Sequence, residues 1–139
     1  MEKPIGRTIK MIDEALARRV NANLQEHNLT IGQSHMLVAL SRSVGQTMSL
    51  KELEQLFRLA QSTIAGLAVR LEKKGLVESI ADESDRRVKR IRLTDAGRAV
   101  CRRSHAHMEE TERMLVSGLT EEEVVAFRDM LERVLAAMK

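Results

Sequence analysis

The sequence predicts a mainly α-helical chain with one small β-hairpin, and three observations carry that prediction. Apolar residues recur at steps of three and four near both ends of the chain. Hydroxyl residues repeatedly stand three positions ahead of a Glu or Gln, the spacing of a helix capping box. Only two neighbouring runs, "LVESIA" and "VKRIRL", have a short β-compatible pattern, and the charged "DESDRR" between them suits a hairpin tip. At 139 residues the chain has the usual length of one domain and can bury a core without disulfides or metal.

In chain order, Ile5, Ile9, Ile12, Leu16, Val20 and Leu24 trace one face of a long first helix ending near His27. Thr30 and Gln33 open a second helix, which carries Met36, Leu37 and Leu40 and breaks near Gly45. Ser49 and Glu52 open a short third helix in "SLKELEQLF". A fourth, Gln61 to Lys74, puts Ile64, Leu67 and Leu71 on its inner face, and Gly75 suits its C-cap. In the second hairpin strand Lys89, Ile91 and Leu93 share one face, leaving Val88, Arg90 and Arg92 on a strongly basic other face. Thr94 can cap a fifth helix reaching about Ser117. Thr120 and Glu123 then open a last helix with Val124, Phe127, Leu131, Val134 and Met138 on one stripe.

Composition narrows the function classes. The net charge is only +3, but its distribution is uneven: from Arg58 to Arg98 there are ten Lys or Arg against six Asp or Glu. Two Phe and no Tyr or Trp disfavour modules that stack single-stranded bases on aromatic rings, so a nucleic-acid partner would be a duplex. One Cys rules out an internal disulfide framework and suits a reducing cytoplasm; no apolar run spans a membrane, and the first residues lack the apolar core of a secretory signal. No phosphate-binding Gly-rich loop or hydrolase motif occurs, and Ser104 and His105 are helical neighbours pointing apart, so an enzyme is not expected.

The short third helix, a tight connection and the polar start of the fourth have the parts of a helix-turn-helix. Gln61, Ser62 and Thr63 can hydrogen-bond base edges, Ala65 permits close approach, and Arg70 and Lys73 add charge. Taken alone, this is equally an amphipathic helix with a polar outer face. The hairpin that follows, with Arg86 and Arg87 near its tip and Lys89 beside them, is placed as a wing able to reach the minor groove. Taken alone, it reads as a solvated charged turn, the usual fate of a charge run.

"DRRVKRIRLT" resembles the wing signature of the multiple-antibiotic-resistance regulator (MarR) family, with Asp85, Arg87, Leu93 and Thr94 in the signature positions. "LTIGQSHMLVAL", "SLKELEQLF", "STIAGLAVRLEKKGLV" and "LTDAGR" extend the resemblance to nearly the whole chain. It implies a single winged helix-turn-helix domain over residues 1–139, with a lobe at about 30–100 and dimerisation helices at 1–28 and 101–139. The implied function is a cytoplasmic homodimeric repressor that binds double-stranded DNA at a pseudo-palindromic operator and is released by a small-molecule effector. The implied DNA-binding set is Gln61, Ser62, Thr63, Ala65, Arg70, Lys73, Asp85, Arg86, Arg87 and Lys89, with Asp85 holding the wing arginines. Ile5, Ile9, Val124, Phe127, Leu131, Val134 and Met138 form the expected dimer interface, and Ile12, Leu16, His35, Met36, Cys101 and Met108 the expected effector pocket. Two positions depart from the family pattern: Ala60 stands at the N-cap of the fourth helix, and Gly66 lies in its interior.

No cofactor and no metal are expected. Cys101 and His105, four apart, with His35 as a third ligand, are weak metal candidates; they define the alternative of a zinc-responsive regulator. The alternative outside DNA binding is a helical dimer serving as a protein-interaction module.

Overall fold

The computed structural model describes residues 1–139 and contains six α-helices, a short 3-10 turn at Val44–Gln46 and a three-stranded sheet. The helices are α1 (Ile5–Glu26), α2 (Ile31–Arg42), α3 (Leu50–Phe57), α4 (Gln61–Lys73), α5 (Asp95–Leu115) and α6 (Glu121–Ala137). The strands are β1 (Thr47–Ser49), β2 (Val77–Ala81) and β3 (Lys89–Leu93), and they are antiparallel in the order β1-β3-β2. The chain divides into two compact units, residues 1–105 and 106–139.

Three helix starts are fixed by reciprocal capping boxes. Thr30 accepts from the Gln33 amide while Gln33 accepts from that of Thr30; Ser49 with Glu52 and Thr120 with Glu123 repeat the exchange. Each box satisfies two amides that the helix cannot satisfy internally. At the other end of α4, Gly75 adopts φ 75°, a left-handed conformation that costs glycine little. Arg58, at φ 53°, ends α3 and turns the chain through only three residues into α4.

The core of the first unit is a continuous apolar cluster. Met36, Leu37 and Leu40 from α2, Leu53 from α3, and Ile64, Ala68 and Leu71 from α4 pack with Leu76, Val77, Ile91 and Leu93. Burying each of the larger side chains contributes about 1.5–3 kcal/mol. Gln33 is also buried; its side-chain oxygen accepts from Lys74 Nζ at 2.7 Å, and the same ammonium donates to the Asn28 carbonyl. That bond ties the end of α4 to the turn before α2.

The sheet departs from the expected hairpin in two ways. Thr47–Ser49 adds a third strand, with Met48 opposite Ile91 and Ser49 opposite Arg90. Ile91 and Leu93 do point into the core, but Lys89 at the outer end of β3 is exposed. The second unit holds the rest of α5 and all of α6, where Val125, Met130, Leu131, Val134, Leu135 and Met138 are exposed. Within the first unit, Ile5, Ile9 and Ile12 of α1 are likewise uncovered in the single chain.

Candidate nucleic-acid interface

The segment 49–93 builds a surface from three elements. Helix α3 supplies Lys51 and Glu54, the first turn of α4 supplies Gln61, and the wing between β2 and β3 supplies Arg87, Val88 and Lys89; together they line an open groove of about 500 Å³. Gln61, Ser62 and Thr63 are all exposed on α4, and Ala65 is half-buried behind them. Arg70 and Lys73 are exposed in the last turns of the same helix but do not line the groove. Lys51 has no place in the set expected from sequence, and its only signal there is an exposed position in the first turn of α3.

The start of α4 differs from those of α2, α3 and α6. Ala60 brings no side-chain cap to the first turn, and no acidic residue lies there. The first turn of α4 therefore carries no carboxylate of its own at the positive end of the helix, and the nearest one lining the groove is Glu54 of α3. Gly66 has open space where a Cβ would stand, so nothing in the chain requires a glycine at that position.

The wing tip is organised by two aspartates. Asp82 accepts from the amides of Ser84 and Asp85 at 3.0 and 3.1 Å and from the Ser84 hydroxyl. Asp85 accepts from the Arg87 amide and Nε, both at 3.1 Å, and from its terminal nitrogen at 3.2 Å. The Ser84 hydroxyl holds the carboxyl of Asp82 below its ordinary value, and the Arg87 guanidinium does the same for Asp85. Arg87 itself is 90% exposed, presented on the surface by a partner that fixes its direction. Arg86 is exposed beside it.

The outer face of β3 requires a correction. Arg90 and Arg92 do share a face, but it is not a free basic surface. Arg92 pairs with Glu78 at 2.6 Å, and Arg90 donates to Glu52 at 3.1 Å and to the Thr47 carbonyl at 3.3 Å. Glu52 lies 38 positions and Thr47 43 positions from Arg90, so sequence proximity could not indicate either pairing.

The Leu-Thr half of the wing signature has a packing role. Leu93 is buried, and the Thr94 hydroxyl donates to the Gly75 carbonyl at 2.6 Å while accepting from the Gly97 amide at 3.1 Å. One side chain thus caps α5 and fastens it to the turn after α4.

The residues expected to form an effector pocket lie in different surroundings. Met36 is fully buried in the core. The reason is its position on α2, on the side packed against α3, α4 and the sheet. Cys101 packs against that core, Leu16 is half-buried on α1, and Met108, in the second unit, is half exposed. Of the six, His35 alone lines an apolar cleft of about 560 Å³, whose other walls are Val38, Ala39, Arg42, Ser43, Met48, Leu56 and Phe57.

The metal alternative also meets a correction, since His35, Cys101 and His105 are not brought into a cluster able to hold an ion. The Cys101 thiol lies 3.7 Å from the Leu37 carbonyl, and burial pushes its pKa up against the opposing influence of Arg102. A thiol kept protonated is a poor ligand and a slow nucleophile.

Comparison with known proteins agrees with this geometry. Residues 27–88, which include α2 to α4 and much of the wing, match the MarR family model. The multiple antibiotic resistance protein MarR of Escherichia coli is 26% identical over 133 residues, covering 95% of this chain and 91% of that protein. The homoprotocatechuate degradative operon repressor of E. coli is 27% identical over 113 residues, covering 81% of this chain and 75% of its own length. Among solved structures, the complex of Staphylococcus aureus MepR with DNA superposes with a TM-score of 0.89 at 25% identity, covering 96% of this chain and 99% of MepR. The helix-turn-helix and wing thus carry the MarR family's sequence pattern over residues 27–88 and share the backbone course of MepR over 96% of the chain: this chain is similar to the winged-helix transcriptional regulators of the MarR family.

Proposed function

We propose that the chain acts as a homodimeric repressor that binds a pseudo-palindromic operator and is released by a small molecule. The observation that carries the DNA-binding part is the groove in which Gln61, Lys51, Lys89 and Arg87 converge. Gln61, Ser62 and Thr63 read base edges in the major groove, with Ala65 allowing close approach, while Arg87 enters the minor groove and Arg86, Lys89, Arg70 and Lys73 meet phosphates. Asp85 aims Arg87 rather than contacting the duplex.

Dimerisation is supported by the apolar residues left exposed on α1, Ile5, Ile9, Ile12 and Val20, and toward the end of α6, Leu131 and Val134, which a second copy would cover. Ile5 and Ile9, with Val124, Phe127, Leu131, Val134 and Met138, are the residues assigned to that contact. Two-fold symmetry would set the recognition helices about 34 Å apart, one turn of DNA. The effector site is assigned to the cleft walled by α2, β1 and α3, where His35 and Arg42 offer polar contacts over an apolar floor. No helix is long and apolar enough to cross a membrane, and a cytoplasmic location follows from the proposed role.

Replacing Arg87 tests the assignment. Arg87→Ala is expected to weaken duplex binding roughly tenfold while sedimentation still shows the wild-type assembly, because the side chain is outside the core. Unchanged affinity would remove the wing from the interface.

A further inference from the structure

The wing tip extends past the last paired residues of its hairpin, Ala81 and Lys89, so the sheet ladder alone does not fix its direction. Two backbone bonds close the tip on itself, Asp82 N to the Val88 carbonyl and Val88 N to the Asp85 carbonyl. In hydrogen bonds and ion pairs, one side chain connects it to the helix-turn-helix. Arg90, only 21% exposed, reaches Glu52 on α3 at 3.1 Å, Asp82 at the base of the tip at 3.5 Å, and the β1 carbonyl of Thr47 at 3.3 Å.

Both carboxylates are already engaged in fixing backbone. Glu52 closes the capping box that starts α3, and Asp82 holds the amides of Ser84 and Asp85. Asp85 in turn grips Arg87. A continuous path of hydrogen bonds, joined by the ion pair between Arg90 and Asp82, therefore runs from the N-cap of α3 through Arg90 to the exposed guanidinium of Arg87. Three acceptors in different directions suit the planar fork of an arginine and not the single ammonium of a lysine. With those acceptors engaged and little exposed surface, Arg90 has small capacity left for a phosphate. Arg92, two residues along the same strand face, makes a useful contrast: its partner Glu78 is on β2, so it links the sheet only to itself.

We infer that Arg90 is a positioning residue for DNA recognition: it sets the wing tip against α3, and so the reach of Arg87, without touching the duplex. This rests on the DNA-binding reading above. Losing Arg90 should therefore matter only while Arg87 is present to be aimed.

The test is a double-mutant cycle on a mixed-sequence duplex about three turns long, followed by fluorescence anisotropy at fixed salt. Arg87→Ala and Arg90→Met are each expected to weaken binding roughly tenfold, and the double variant no more than either alone. Arg92→Met removes equal charge from the same face and is expected to stay within about twofold of wild type. A double-variant loss near a hundredfold would show that Arg90 acts independently of Arg87 and would overturn the inference; so would wild-type affinity in Arg90→Met, or an equal loss in Arg92→Met. Should Arg90→Met lower the melting temperature sharply, Asp82→Asn cuts the same path from the wing side. It should show the same non-additivity with Arg87→Ala, and additive losses there would overturn the inference. If the wild-type protein fails to bind duplex at all, the DNA-binding reading itself fails, an outcome the cycle separates from failure of Arg90 alone.

Discussion

Gly97 has no room for a side chain: a Cβ there would stand 2.0 Å from the carbonyl oxygen of Leu76 and 3.1 Å from Leu93. That carbonyl also accepts from the amide of Thr94, so it cannot yield without disturbing the junction between wing and α5. Gly97→Ala is therefore expected to destabilise the fold by about 1–3 kcal/mol or more, read as a lower denaturant midpoint. An unchanged midpoint would mean that the helix does not approach the strand as closely as the structure has it. The "LTDAGR" run thus has a physical reason at each fixed position: Leu93 fills the core, Thr94 caps and fastens, Gly97 admits the close approach, and the Arg98 guanidinium bonds the Leu93 carbonyl. From sequence the motif is recognisable as a pattern. Its cause is not, because Leu76 and Gly75 lie about twenty residues away.

The wing and α3 are held by carboxylates that work only when ionised. For Glu52, partial burial raises the pKa, but the hydrogen bonds from Arg90 and Ser49 outweigh it, and the net shift is below the ordinary 4.5. Asp82 and Asp85 are likewise below 3.8, chiefly through Ser84 and Arg87 respectively. Groups with folded pKa values below their unfolded ones stabilise the fold above the unfolded values, and the contribution is lost as pH falls through the folded ones. The melting temperature is accordingly expected to be insensitive to these groups down to about pH 5 and to fall below about pH 4, less steeply in Asp82→Asn. A wild-type fall no steeper than that of the variant would contradict the wing network. Capping boxes at Thr30, Ser49 and Thr120 were legible because each is local, spanning three residues. Strand β1 was not, because three residues form a strand only by pairing with β3, more than forty positions later. The fate of Arg90 and Arg92 was hidden for the same reason: period two places them on a face, but only the fold supplies Glu52 and Glu78.

At the scale of the whole molecule, apolar periodicity located the stripes on α1 and α6 but not what covers them. The single chain leaves Ile5, Ile9, Ile12 and Val20 of α1 and Leu131, Val134 and Met138 at the C-terminal end exposed, while Leu24 is buried and Leu16, Val124 and Phe127 are half-buried; the exposed part is what a second copy would cover. Leu131→Glu, at a site 42% exposed in the single chain, should leave the monomer fold intact and yield monomers in sedimentation; a persistent dimer would place the contact elsewhere. Met36 and His35 show why a pocket is harder to read than a fold. They are adjacent on α2, yet one is core and the other lines the cleft, a distinction that depends on how the helix rolls against its neighbours.

The central claim, that the α3–α4–wing surface grips duplex DNA through its charges, is tested most directly by the salt dependence of binding for the wild-type protein and Arg87→Ala. The expected result is a straight fall of log K with log salt for the wild type, with a slope of about −0.9 for each neutralised phosphate, and a shallower slope with weaker binding for the variant. A wild-type affinity that does not change with salt, or that shows no preference for duplex, would contradict it.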